Sequence, residues 1–260
     1  MTAQLLFYEK PVAVSATAHR ETCIKATDDF SFAKSVNSVP LVAAEFAEAG
    51  AEFPIVFAGQ DKNIVPTAIL GVAGGENQFV DDNGAWTARF MPVFIRRYPF
   101  VFSQANEDGR ALLFVDEAYP GVNNEGRGER LFDAEGNQTQ YLASVLAFLE
   151  DYQVKFRRTQ QYCQRLIDLD LLRPMEAQFN VPGAEPRRLT GFLTIDREKL
   201  KAIDTDVLKE MFDTDELECT FLHLASLRHF ATLADQAAKN DEGAAAPTEP
   251  EPEAEAVDGE

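Results

Sequence analysis

TQYLASVLAFLEDYQVKFRRTQQYCQRLIDLDLL, residues 139–172, decides how the rest of the chain is read. Leu142, Val145, Leu146, Leu149, Tyr152, Phe156, Cys163, Leu166 and Ile167 recur at helical spacing along one stripe. Lys155, Arg157, Arg158 and Arg165 lie largely off that stripe. The spacing predicts a single helix over Thr139–Leu172, with Pro174 as its terminator. At 1.5 Å per residue such a helix is about 45–50 Å long. It divides a strand-rich first half from a helical second half, the pattern of an α+β fold in a single domain.

Upstream, Leu5–Tyr8, Pro54–Ala58 and Thr67–Val72 are short runs rich in strand formers, and Leu41–Phe53 has helical composition. Asn77–Asp81 and Ala85–Ala88 flank Asp82-Asn83-Gly84, a hairpin signal because Asn-Gly supplies positive φ angles. Phe90–Arg97 reads as a short helix. Phe100–Ser103 and Ala111–Asp116 form a second hairpin across Asn106-Glu107-Asp108-Gly109. The segment Glu117–Gly136, with four glycines and Pro120, is long for a structureless connection, and such loops are usually functional or packed down by their own side chains.

Downstream, Met175–Val181 and Arg188–Ile195 pair around Pro182-Gly183. Asp196 caps a helix over Arg197–Ile203, and Asp204 or Thr205 opens another. Glu216–Ala237 reads as one helix with Leu217, Phe221, Leu224, Leu227 and Leu233 inward. The folded domain is expected over residues 1–235. Residues 236–260, rich in Ala, Pro and Glu without aromatics, cannot bury enough surface to offset chain entropy, so a disordered acidic tail is expected.

The chain carries a net charge of −19 with 24 basic and 43 acidic residues. One lysine against eight acids after residue 235 nets −7, leaving −12 on the body. That balance excludes non-specific nucleic-acid binding, which depends on neutralising phosphates, and disfavours anionic membrane surfaces. No stretch approaches the ~18 apolar residues of a membrane span, so no membrane insertion is expected. Three cysteines, Cys23, Cys163 and Cys219, have no paired spacing, which fits free thiols in a reducing compartment. Lys10 and Pro11 fall where a signal peptide would carry its apolar run, and a cytoplasmic address is expected.

Catalytic signatures are missing: no zinc-protease helix, no nucleophile-elbow serine, no phosphate-binding loop, and Gly126-Arg127-Gly128 lacks the third glycine of a dinucleotide fingerprint. Cys219 and His223 share a helical face, but no third metal ligand is nominated, so no metal is assigned. The acidic turns at 81–84 and 133–137 lack the closing glutamate of a calcium loop. No cofactor is called for. The best candidate is the segment Glu117–Phe132, where Glu117, Tyr119, Asn123, Arg127, Glu129 and Arg130 combine with backbone freedom at glycines. Arginine's fork of donors suits carboxylate or phosphate, and Arg96 and Arg97 are positioned to extend an anion-binding patch. The alternative is internal ion pairing that pins the loop to the body.

Several strings together resemble one family: NSVPL (37–41), EFPIVF (52–57), PVFIRRYPF (92–100), GERLFD (128–133), TGFL (190–193) and LHLASL (222–227). They are similar to bacterial SapC-family proteins from about Leu5 to Leu233, leaving out the tail. The resemblance implies an association with paracrystalline surface layers and their export, and a setting beside outer-membrane receptors, cupin-like oxygenases and flavin-dependent halogenases. It carries no catalytic residue set. The expectation is a non-enzymatic accessory protein with a protein partner in a surface-layer, export or outer-membrane uptake system. Two alternatives stand beside it: an enzyme or anionic-ligand-binding subunit using the 117–132 loop, and a structural component of the layer.

Overall fold

The computed structural model describes residues 5–61, 63–103, 111–179 and 187–245. The elements of the first half are short: β1 (Pro11–Ala13), α1 (Ala16–His19), β2 (Cys23–Ile24), β3 (Ser38–Pro40), α2 (Phe46–Ala49), β4 (Ile55–Ala58), β5 (Val65–Ile69) and α3 (Val93–Arg96). β6 (Phe100–Phe102), β7 (Leu113–Asp116), β8 (Val122–Asn123) and β9 (Glu129–Arg130) lead to the helix α4 (Gln140–Asp168). Then follow β10 (Leu172–Phe179), β11 (Arg187–Ile195), α5 (Arg197–Lys201), α6 (Thr205–Asp213), α7 (Glu216–Ser226) and α8 (His229–Ala245).

The strands form three antiparallel sheets, ordered β10-β11-β4-β5-β3, β1-β7-β6 and β8-β2-β9. The fold is α+β, with the long helix as its spine. Thr139 caps α4 by accepting the Leu142 N–H, while its hydroxyl donates to the Arg130 carbonyl at 2.6 Å. At 29 residues α4 is about 43 Å long, enough to serve two cores. Leu142 and Leu149 pack with Ile24, Phe100, Val115 and Leu131. About three and a half turns on, Tyr162, Cys163 and Leu166 join the larger core around the five-stranded sheet, Tyr162 lying against Phe46 and Phe57. Each fully buried leucine contributes about 2 kcal/mol through area removed from water.

Several boundaries differ from the sequence expectation. Asp170 takes a left-handed φ of 51° and the Leu171 N–H returns to the Leu166 carbonyl, so α4 stops before Leu172. Pro174 therefore terminates nothing; it sits in β10, an edge strand that tolerates a missing N–H. Leu5–Tyr8 is not a strand: Tyr8 N–H closes a turn on the Leu5 carbonyl, and Phe7 is drawn into an aromatic cluster with Phe32, Phe94 and Tyr98. The helical composition of 41–53 yields a 3-10 turn at Ala43–Glu45 and the single turn α2, because buried Glu45 turns back to accept the Val42 N–H. The 77–88 hairpin is reduced to one bridge, Val80 to Trp86, around a turn in which Asp81 accepts from Asn83 and Ala85.

Asp196 and Asp204 cap α5 and α6 as expected. The single helix expected over 216–237 is two. Ser226 donates to the His223 carbonyl at 2.7 Å and accepts the Ile55 N–H at 2.9 Å, which ties the end of α7 to β4. Leu233 is buried, whereas Phe221, expected inward, is 49% exposed. α8 runs to Ala245, with Ala237 fully buried. The turns proposed at Asn106–Gly109 and Pro182-Gly183, and residues 246–260 of the tail, lie outside the described residues.

Candidate functional site

The string PVFIRRYPF makes one helical turn, α3, and then strand β6, because Pro99 cannot prolong a helix. Neighbouring positions on one turn point apart, so the two arginines separate. Arg97 is buried, its guanidinium over the Phe94 ring at 4.1 Å and the Tyr152 ring at 5.2 Å. Arg96 is exposed, with its guanidinium 5.9 Å from the Phe148 ring centre. Among the described residues it takes no hydrogen bond and no ion pair.

Below them lies a buried polar knot. Asp116, fully buried at the end of β7, accepts the Lys10 N–H (2.8 Å) and Ala118 N–H (3.1 Å) on Oδ1, and the Glu9 N–H (2.9 Å) and Tyr98 hydroxyl (3.1 Å) on Oδ2. Tyr8 donates to the Phe100 carbonyl at 2.7 Å. Burial raises the phenols of Tyr8 and Tyr98, and the Asp116 charge adds to both; the Arg97 charge opposes it at Tyr8.

Between this knot and the first half of α4 is a cavity of about 430 Å³. Its walls carry the aromatic rings of Phe30, Phe32, Tyr98, Phe100, Tyr119, Tyr141 and Phe148, with Arg96, Arg97 and Asp29 as charged groups. Burial pushes the Tyr141 phenol up to about 12, with Tyr119 and Glu129 adding to the effect. The Tyr141 hydroxyl makes no hydrogen bond among the described residues.

Of the sequence candidates, Arg96, Arg97 and Tyr119 border this cavity together. The others are held elsewhere. Glu117 pairs with Lys10 at 2.8 Å, which lowers its carboxyl below the ordinary range, and faces His19 at 3.5 Å. Asn123 organises its own loop: its amide donates to the Gly121 and Arg127 carbonyls, and its oxygen accepts from Glu125 and Arg127. Arg127 pairs with Glu125 at 3.0 Å and Arg130 with Glu21 at 2.5 Å. Glu129 is exposed in β9 and acts on the site through its charge alone. The single patch expected from Arg127 and Arg130 with Arg96 and Arg97 is thus not assembled: Arg127 pairs within its own loop, and Arg130 links the loop to Glu21. Tyr141 and Phe148 fall outside the apolar stripe of α4, and no local pattern in the sequence marks them as cavity residues.

A second cavity of about 470 Å³ opens between α2, α4 and the start of α7, lined by Lys155, Arg158, Tyr162, Asp215, Glu216 and Cys219 among others. Its groups already pair: Lys155 with Asp151, Arg158 with Asp215, Glu216 with Arg165, and Tyr162 with the Thr220 hydroxyl. Burial lifts the Cys219 thiol to about 11, which disfavours the nucleophilic thiolate. Cys219 and His223 do share a face of α7, but His223 is fully buried with both ring nitrogens engaged.

A family model described as SapC matches residues 14–233, most of the chain. No curated protein and no solved structure matches significantly. The match covers the five-stranded sheet, α4, the aromatic cavity and, of the buried knot, Tyr98, Phe100, Asp116 and Ala118, while Tyr8, Glu9 and Lys10 precede it. The chain belongs to the SapC family.

Proposed function

We propose that the protein works by binding rather than by bond chemistry, as a non-enzymatic accessory or interaction protein of a bacterial surface-layer, export or outer-membrane uptake system. One observation carries the binding half: the buried carboxylates Asp116 and Glu45, next to the segments that wall the cavity, are engaged by backbone N–H groups. Asp116 serves three backbone N–H groups and a phenol, and Glu45 accepts from Val42 (3.0 Å) and Val93 (2.7 Å). Both carboxylates hold backbone in place: all four acceptor sites of Asp116 are filled, and each Glu45 oxygen is tied to a backbone N–H. SapC membership supports the setting, and the free thiols Cys23, Cys163 and Cys219 support a reducing, cytoplasmic address.

The test is affinity capture of the tagged full chain from its native bacterium, run beside the surface variant Arg96→Glu. A component of a surface layer, exporter or outer-membrane receptor, held by the parent and released by the variant, is expected. Recovery of the free chain alone in repeated captures overturns the reading. Fractionation that finds the protein only in the extracellular layer overturns the cytoplasmic address and favours a structural component instead.

A further inference from the structure

We propose that the cavity between α3 and the first half of α4 binds a small aromatic monocarboxylate, with its carboxylate on Arg96 and its polar far end at Tyr141. The proposal rests on the binding role above and adds the ligand's chemistry. A volume of about 430 Å³ suits a small molecule rather than a macromolecular segment. The aromatic walls offer ring faces and edges to a flat apolar body.

Two polar groups on those walls are unspent. The Arg96 guanidinium has no hydrogen bond or ion pair among the described residues, although the chain carries a large excess of carboxylates. Its contact with Phe148 restrains the fork at the cavity wall, and its geometry matches a carboxylate through two parallel hydrogen bonds. The Tyr141 hydroxyl is the second group. Tyr141 and Phe148 both line the cavity from α4, seven residues apart, so about 10 Å of helix separates Tyr141 from the Phe148 ring that Arg96 stands against.

The charges are asymmetric along that length. Glu129 acts on Tyr141, so the Tyr141 end favours a hydroxyl or another donor and disfavours a second carboxylate. Arg97 does not compete for the anion as Arg96 does, because its guanidinium is committed to the faces of Phe94 and Tyr152. The fitting ligand is a monoanion, aromatic in the middle and hydroxylated at the far end.

The experiment titrates the full chain by calorimetry and ligand-observed NMR with 3-(4-hydroxyphenyl)propionate, its neutral amide, and 3-(4-carboxyphenyl)propionate. Saturable binding of the first is expected, with the amide and the dicarboxylate at least about tenfold weaker, the scale of a charge-assisted hydrogen bond. Arg96→Gln lowers affinity by about tenfold or more, and Tyr141→Phe by about threefold to tenfold. Arg96 is exposed, so its variant retains the fold, which a thermal melt checks. No saturable binding, equal affinity for acid and amide, or indifference to Arg96→Gln overturns the assignment. If partner capture still succeeds in that event, the ligand class alone is rejected; if capture also fails, the binding role falls with it.

Discussion

The His223 Nδ1 lies 2.8 Å from the carbonyl oxygen of Ile55, joining α7 to β4 across 168 residues of chain. Its other nitrogen, Nε2, accepts the Ile195 N–H at 3.2 Å, so the neutral ring donates from Nδ1. A proton on Nε2 would face that N–H, and burial moves the ring's titration down to about 4. The folded value is below the unfolded one, so the neutral imidazole stabilises the protein above about pH 6.5. That contribution is lost as pH falls through the folded value near 4. The loss is about 3 kcal/mol across the window. Urea unfolding at pH 7 and pH 4.5 should show His223→Gln losing less stability on acidification than the parent; equal losses refute the account.

Asp116 gives a sharper substitution test. Oδ1 faces two N–H donors, and Oδ2 faces one N–H and one hydroxyl. Whichever oxygen becomes the amide nitrogen of Asp116→Asn, at least one N–H donor meets another donor. The expected cost is about 3 kcal/mol or more, the range for buried groups left unsatisfied. Tyr98→Phe removes one donor from a charged acceptor that keeps three others, and about 1.5–3 kcal/mol is expected. Chemical denaturation that orders the two variants the other way contradicts this geometry.

The contrast between what was and was not legible follows the range of the interactions. Thr139, Asp196 and Asp204 cap helices through bonds two or three residues away, so their role shows in the local string. The end of α7 depends on Ser226 meeting Ile55, 171 residues distant, and no local pattern announces it. The site divides in the same way. The adjacent arginines are plain in the string, but their separation into one buried and one exposed cation is set by Phe94, Tyr152 and Phe148. Asn123, Arg127 and Arg130 carried the composition of a ligand loop, and their partners Gly121, Glu125 and Glu21 turn that composition into internal support.

Glu45 should titrate with the opposite sign to His223. Burial raises its carboxyl above the ordinary range despite two backbone N–H donors that oppose the shift. A raised folded value means that protonation favours the native state. The parent should therefore gain stability relative to Glu45→Gln as pH falls from neutral toward the unfolded carboxylate range. Glu45→Ala leaves the Val42 and Val93 N–H groups without their acceptor, at an expected cost of about 2–4 kcal/mol. Paired urea titrations at pH 7 and pH 5 check both statements, and a difference that grows toward neutral pH instead overturns the first.

Gly126 and Gly128 separate two costs that usually travel together. Both have positive φ, 75° and 90°, so either alanine variant incurs left-handed strain of about 1–2 kcal/mol. They differ in space. A Cβ on Gly126 meets nothing within 4 Å, whereas one on Gly128 would lie 2.2 Å from the Ile24 carbonyl oxygen, where β9 pairs with β2. That oxygen belongs to backbone, so relief requires the strands to part. Gly126→Ala should lower stability by about 1 kcal/mol. Gly128→Ala should cost more, by about 1–3 kcal/mol for the forced approach. Because Ile24 also belongs to the core at the first half of α4, the Gly128 variant should speed amide exchange in β2 and β9 as well. Equal denaturation midpoints for the two variants would show that the β2–β9 approach is looser than 2.2 Å implies.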